Sequence, residues 1–118
     1  MTLAHFIHRL KEAPGDITFE ETIRLIDGLY DFTPTAFRNG EQYNAAGENN
    51  GSCKILAFAR LNKLSEAETL ACFGDFYRKD VLGDPHGSGH ANIRNFMRYG
   101  WDGVQLESQA LKPRTASP

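Results

Sequence analysis

The first apolar pattern of the chain has the spacing of a helix. Leu3, Phe6 and Leu10 recur at intervals of three or four residues, which places them on one helix face. Pro14 and Gly15 follow, and this pair is typical of a helix end. The pattern therefore predicts a short amphipathic helix at the start of the chain.

A second helix is indicated by a start signal and an apolar stripe. Thr18 and Glu21 have the spacing of a capping box, in which each residue hydrogen-bonds the other's backbone N–H. Phe19 and Ile26 belong to the apolar face that follows. Pro34 disfavours helix at the residue before it, so the helical pattern is broken there.

The middle of the chain changes from polar turns to a continuous apolar run. In residues 36–51 the dipeptide Asn39-Gly40 marks a turn, so a small hairpin or a long polar loop is expected. Residues 55–59 are apolar on every side, which fits either a buried strand or a buried helix. The neighbouring alanines and the length of the run to Leu64 favour helix.

The clearest helical pattern lies between Ser65 and Gly83. Ser65 and Glu68 form a second capping box. Apolar and aromatic residues then recur at helical spacing up to Val81, and Gly83-Asp84-Pro85 closes the segment. One uninterrupted helix is predicted here.

The last helix is expected between Ser88 and Gly100. Ser88 is a suitable N-cap, and Ile93, Phe96 and Met97 are expected to face the core. Gly100 supplies the glycine that commonly follows a helix.

The C-terminal part predicts a short strand and then a tail. Residues 103–106 alternate briefly and could pair with residues 37–43, while the polar residues from Lys112 onward predict disorder. The expected architecture is mainly α, with about five helices in a single compact domain and room for a small antiparallel β element. The domain is expected to span residues 1–111, and the disordered tail residues 112–118.

Composition narrows the class of protein. Hydrophobic residues make up 41% and charged residues 24%, as in ordinary globular domains. A net charge of -2 argues against a nucleic-acid partner. Two cysteines cannot build a disulfide framework, and no apolar stretch is long enough to cross a membrane. The start of the chain lacks the apolar core of a Sec signal peptide, so a cytoplasmic protein is expected unless another route exports it.

Three sequence features that suggest chemistry have simpler structural explanations. His86 and His90 have the spacing of a zinc pair, but glycines and a proline surround them, so neither a metal nor a cofactor is predicted. The glycine-rich segment 47–54 would point N–H groups at an anion if it ran into a helix, yet it does not match the Walker pattern. Cys53 at a helix start could be a nucleophile, but the apolar run that follows favours an inert buried thiol.

An unusually polar set of residues remains for so short a chain. Asparagines often bind backbone groups in turns, and that structural role is the simpler alternative. The functional alternative is a pocket in which an arginine binds a carboxylate or phosphate while the amides orient the rest. The candidate pocket residues are Asn39, Asn44, Lys54, Arg78, Asp80, His90, Asn92, Arg94 and Asn95.

Several ordered runs together resemble the HopJ-type family over about residues 19–111. These runs are residues 32–37, 51–55, 57–59, 73–82, 90–97 and 100–103. The resemblance implies a small bacterial protein associated with type III secretion, but it implies no catalytic residue. The apolar helix pattern begins at Leu3, which leaves little room for the flexible secretion signal that such effectors usually carry.

Three functional hypotheses follow from the residues and the resemblance. The first is a non-enzymatic binding or interaction protein that holds an unknown protein partner or a small anionic ligand. The second is an enzyme that uses Arg78, Asp80, His90 and Asn92, with His90 as general acid or base. The third is a bacterial housekeeping protein that is not exported.

Overall fold

A computed structural model describes residues 2–114 of the chain. Helix α1 spans Leu3–Glu12, and the Thr2 hydroxyl caps it by accepting a hydrogen bond from the His5 N–H at 3.1 Å. Its buried face carries Phe6 and Leu10, as the apolar spacing predicts. A single 3-10 turn at Pro14–Asp16 then ends the segment.

Helix α2 spans Phe19–Leu29 and begins at the predicted capping box. The Glu21 N–H donates to the Thr18 hydroxyl at 3.1 Å, and the Thr18 N–H donates to the Glu21 carboxylate at 2.9 Å. The helix passes directly into strand β1, Tyr30–Phe32.

A three-stranded antiparallel sheet forms from distant parts of the chain. Strands β2 (Phe37–Asn39) and β3 (Gln42–Asn44) form the predicted hairpin, and Gly40 turns it with a φ of +61°. Strand β4, Val104–Leu106, pairs with the other side of β2, as the sequence predicts. Strand β2 is therefore central in the order β3-β2-β4.

The C-terminal residues correct one expectation. Lys112 and Pro113, predicted to be disordered, lie in strand β5 (Leu111–Pro113), which pairs antiparallel with β1. The buried side chain of Leu111 anchors this strand in the core, and proline is tolerated because β5 is an edge strand. The prediction of a disordered tail is thus wrong for residues 112–114, whereas residues 115–118 lie outside the described residues.

Helix α3, Asn50–Leu61, runs through the core. It contains the apolar run that allowed either strand or helix, and the helical alternative is correct. Phe58 is fully buried and makes edge-on contacts with Phe6 and Tyr30, each with ring centroids 6.0 Å apart. These contacts join the core helix to α1 and to the end of α2.

The predicted long helix from Ser65 to Gly83 is divided in two. The capping box at Ser65 forms, but helix α4 spans only Glu66–Ala71, and a π-helix follows at Phe76–Val81. Gly74 lies between them with a φ of +63°, and a Cβ added there would lie 2.6 Å from the Phe19 backbone nitrogen. Because of this break, the start of α2 can approach the backbone at Gly74 closely. This is a tertiary contact, so the apolar spacing could not predict it.

Helix α5 spans Ala91–Tyr99 and begins later than predicted. Its N-cap is His90, in the left-handed region, rather than Ser88. Met97 does not face the core, because its side chain is 44% exposed. Gly100 ends the helix as predicted.

The architecture is mainly α, as predicted, with small antiparallel sheets around one hydrophobic core. Five α-helices and the π-helix are present within residues 2–114. None of the described helices is long and apolar enough to cross a membrane.

Candidate functional site

A cavity of about 220 Å³ lies between the starts of helices α3 and α5. Its wall is partly polar and partly aromatic, and no aspartate or glutamate among residues 2–114 belongs to it. The lining residues are Phe19, Asn49, Gly51, Ser52, Phe73, Phe76, His90, Asn92 and Ile93.

An asparagine cluster holds the two helix starts together. The Asn44 side-chain oxygen accepts hydrogen bonds from the side-chain nitrogens of Asn49 at 2.7 Å and Asn92 at 2.9 Å. The Asn44 nitrogen donates in return to the Asn92 side-chain oxygen at 3.2 Å. Asn44 in strand β3 thus connects the residue before α3 to the first turn of α5.

Asn39 extends this cluster beneath α5. Its side-chain nitrogen donates to the Asn92 carbonyl at 2.7 Å and to the Asn92 side-chain oxygen at 3.1 Å. Its own side-chain oxygen is buried without a hydrogen-bond partner. Asn39, Asn44 and Asn92 are all buried, so these predicted pocket residues position the helix starts and only Asn92 also lines the cavity.

Both helix starts lack a side-chain cap. Asn49 and His90 precede α3 and α5 with φ values of 51° and 57°, in the left-handed region that asparagine and histidine tolerate better than most residues. The Asn49 amide, which would otherwise serve as a cap, is bound to Asn44. The first-turn N–H groups of each helix therefore receive no side-chain cap from the residue before the helix, and each helix has the positive end of its dipole at the cavity.

His90 forms a pair with Asp80 at the edge of the cavity. The His90 Nε2 and Asp80 Oδ2 atoms are 3.2 Å apart, and the two side chains are 36% and 54% exposed. The π-helix presents Asp80, and the His90 ring also lies against Phe76, with centroids 5.1 Å apart. This pair orients the imidazole without placing a carboxylate in the cavity wall.

Part of the cavity wall is aromatic. Phe19 and Phe76 contact each other edge-on with centroids 5.0 Å apart, and Phe73 is buried beside them. Phe76 remains 37% exposed. An apolar surface therefore lies next to the polar helix starts, with Phe76 against the His90 ring.

Two of the predicted pocket residues lie elsewhere and stabilise the fold. The Arg78 guanidinium donates to the carbonyls of Ile17 at 2.6 Å and Pro14 at 3.1 Å, so it holds the turn between α1 and α2. Lys54 forms an ion pair with Asp27 at 2.8 Å. Neither side chain reaches the cavity wall.

Arg94 and Asn95 are also placed outside the cavity. Arg94 donates to the carbonyls of Gly89 at 2.6 Å and Asp84 at 2.8 Å, which orders the loop before α5. The Asn95 side-chain oxygen accepts from the Glu41 N–H at 2.9 Å and so fixes the β2–β3 turn. Of the nine predicted residues, the cavity region brings together His90 and Asn92, with Asn39, Asn44 and Asp80 behind them.

Sequence reasoning missed the residues that form the α3 side and the aromatic wall. Gly51 and Ser52 lie in the glycine-rich segment that runs into a helix, which was a usable signal for an anion. Phe19 was predicted as part of the apolar face of α2, and Phe76 was not singled out. Their meeting at one cavity depends on the break at Gly74, which no local pattern indicates.

The cysteines offer no reactive thiol. Cys53 is fully buried, and burial raises the pKa of its thiol while the thiol contacts the Thr35 carbonyl. Burial raises the pKa of the Cys72 thiol to about 12. Among residues 2–114, no group of three or more histidines, cysteines, aspartates or glutamates is arranged to hold a metal ion.

The fold and the cavity define a small, mainly helical domain with a polar and aromatic cleft between two helix starts. The chain belongs to the HopJ family, since the sequence model described as HopJ type III effector protein matches residues 3–111.

Among solved structures, the chain is similar to the crystal structure of unknown function protein VPA0580. The two share 54% sequence identity and a TM-score of 0.95, over 97% of this chain and 95% of the other. No curated protein matches the chain significantly.

Proposed function

We propose that this HopJ-family protein is a non-enzymatic binding protein that holds a small anionic ligand in the cavity between α3 and α5. One observation carries the proposal: two helix starts without a side-chain cap meet at one cavity, and the described residues of its wall include no carboxylate. The candidate ligands are small carboxylates and phosphate monoesters.

Electrostatics favour an anion at this position. The N-terminal end of a helix carries a partial positive charge, and an anion near it is stabilised by about 0.3–1 kcal/mol per helix. The half-buried Ser52 hydroxyl and the His90 imidazole add hydrogen-bonding groups from the same two segments. Two helix starts stabilise one bound anion more than either start would alone.

The aromatic wall favours a ligand with an apolar part. Phe19, Phe73 and Phe76 line the same cavity as the polar groups, so an anion bound at the helix starts would place its carbon skeleton against these rings. The cavity is smaller than most drug-binding pockets, which fits a metabolite-sized molecule rather than a nucleotide.

The Asp80–His90 pair favours an enzyme as a second candidate. An imidazole oriented by a carboxylate is the arrangement of a general acid or base. However, Arg78 points away from the cavity, and Ser52 makes no hydrogen bond to His90 although both line it. A binding function requires neither Arg78 at the cavity nor a hydrogen bond between Ser52 and His90, so it is better supported than an enzyme.

The binding proposal is tested by calorimetric titration with inorganic phosphate, acetate and benzoate. Ser52→Asp places a carboxylate at the α3 start, where it competes for the same N–H groups, and Ser52→Asn is the neutral control of equal size. We expect at least one anion to bind the wild type and the Asn variant, with affinity about tenfold lower or worse in the Asp variant.

Two outcomes would refute the proposal. The first is that none of these anions binds the wild type above the level of a sodium chloride control. The second is equal binding by the Asp and Asn variants, since the anion would then lie elsewhere.

The family description supports a separate proposal about location. We infer that the protein is made in the cytoplasm and exported by a type III system, since the family is described as a type III effector. A tagged chain should appear in the medium of a secretion-competent strain and be absent from the medium of an isogenic strain without the apparatus. Retention in both strains would instead favour a housekeeping protein.

A further inference from the structure

A second surface combines exposed apolar side chains with positive charge. Leu82, at the end of the π-helix, and Met97, on the outer face of α5, are 49% and 44% exposed. Both line a shallow groove of about 280 Å³, whose floor is the buried Val81. Leu82 and Met97 thus form an adjacent pair rather than isolated exposed residues.

Arginines border this groove. Arg94 and Arg98 are one turn apart on α5 and both line it, whereas no aspartate or glutamate in the described part of the chain does. Arg98 is exposed, and within the described chain its guanidinium contacts only the neighbouring Tyr99 ring, 5.4 Å from the centroid. The Asp84 carboxylate packs against Gly87 beside Arg94 and offsets the charge of that arginine, so the positive charge of the groove comes mainly from Arg98.

We propose that this groove is a docking site for an acidic, amphipathic segment of a partner protein. The partner would insert a leucine- or methionine-sized side chain between Leu82 and Met97 and place its carboxylates on Arg98 and Arg94. Charge complementarity carries the choice of partner, because the groove is positive on a chain whose net charge is -2.

The residue types fit a protein partner. Methionine and arginine are enriched in protein interfaces, and the flexible thioether of Met97 can adapt to side chains of different shape. A membrane surface would require a broad apolar face, whereas this feature is a concave groove that accepts an inserted side chain. The groove is separate from the anion cavity, so the two proposals stand or fall independently.

The test is a selection from a random peptide library displayed on phage, with the full-length chain as bait. We expect the enriched peptides to combine aspartate or glutamate with leucine, methionine or phenylalanine. One enriched peptide, made synthetically with a fluorescent label, is then titrated by polarisation.

Substitutions at the groove should weaken that peptide specifically. Arg98→Glu and Leu82→Ser should each reduce affinity about tenfold or more, and rising salt should weaken binding to the wild type. Arg24→Glu is the control, because it makes the same charge change on the exposed face of α2. The substituted side chains are exposed, so the variants should keep the wild-type circular dichroism spectrum.

Four results would overturn the proposal. These are a selection without acidic enrichment, peptide affinity unchanged in Arg98→Glu, and loss of affinity in Arg24→Glu equal to that in Arg98→Glu. The fourth is that the same substitutions leave peptide binding intact but abolish either binding to phosphatidylserine vesicles or a concentration-dependent dimer. Loss of vesicle binding would assign the groove to a membrane, and loss of the dimer would assign it to a second copy of the chain.

Discussion

At the scale of single residues, the asparagines determine how the candidate site is built. Asn44 accepts from the side chains that precede α3 and begin α5, and it donates to Asn92 in return. Each side-chain amide can both donate and accept, so Asn44 alone hydrogen-bonds the residues at both helix starts. The sequence is rich in asparagine, and hydrogen bonding to nearby backbone and side chains was the structural role considered. Most of the asparagines of the cluster have that role.

The substitution Asn44→Asp tests this arrangement. A carboxylate keeps the shape but replaces the donor to Asn92 and to the Phe37 carbonyl with an acceptor. Because the site is buried, we expect a loss of about 3 kcal/mol or more in the free energy of unfolding, measured with urea.

The matched control is Gln42→Glu, two residues away in the same strand. The Gln42 side-chain nitrogen donates to the Tyr43 carbonyl at 3.3 Å on the exposed surface, so the same chemical change there should cost less than about 0.5 kcal/mol. Equal losses in the two variants would contradict a special role for Asn44.

At the scale of elements, local sequence signals predicted where α2 and α4 begin but did not predict the break at Gly74. The capping boxes at Thr18 and Ser65 involve residues three apart, so the sequence alone contains the whole interaction. The break at Gly74 exists because the Phe19 backbone approaches it, and that contact joins residues far apart in sequence. The cavity was hidden for the same reason. His90 and Asn92 could be proposed from the sequence, but the two helix starts meet only through tertiary packing.

Gly74→Ala should therefore be far more costly than an ordinary glycine substitution. The positive φ and the close Phe19 backbone nitrogen both oppose a Cβ, and we expect a loss of about 3 kcal/mol in unfolding free energy. Gly28→Ala, in α2 with open space around the added carbon, should stabilise by about 0.5–1 kcal/mol. A tolerated Gly74→Ala with a normal melting temperature would show that α4 and the π-helix can join.

The α4 capping box should also contribute to pH dependence. The Ser65 N–H, and secondarily Lys11, hold the pKa of the Glu68 carboxylate below its ordinary value of 4.5. A pKa lowered by folding stabilises the folded protein above the unfolded-state value, and this stabilisation is lost as pH falls through the folded-state value.

Glu68→Gln should consequently be less stable than the wild type at neutral pH, and the difference should shrink below about pH 4.5. Glu12→Gln, at the exposed end of α1, is the control. Urea denaturation at a series of pH values measures both. If the wild type remains more stable than Glu68→Gln by the same amount at low pH, the Glu68 charge is not involved.

At the scale of the whole molecule, the fold places two different surfaces around helix α5. Its first turn faces the anion cavity with α3, while its outer side carries Met97, Arg94 and Arg98 along the second groove. The π-helix contributes to both, with Phe76 at the cavity and Leu82 directly after it at the groove. Sequence reasoning found the helices and the hairpin, but these two surfaces required the tertiary arrangement.

The most direct test of the central claim is a two-dimensional amide NMR titration of the isotope-labelled chain with phosphate and benzoate. If the cavity binds anions, the amides of Gly51 and Ser52 in α3 should shift together with those of Asn92 and Ile93 in α5, along one common binding curve. Sodium chloride at equal ionic strength should not reproduce these shifts. Shifts confined to one helix start, or spread only over surface lysines and arginines, would contradict a shared anion site.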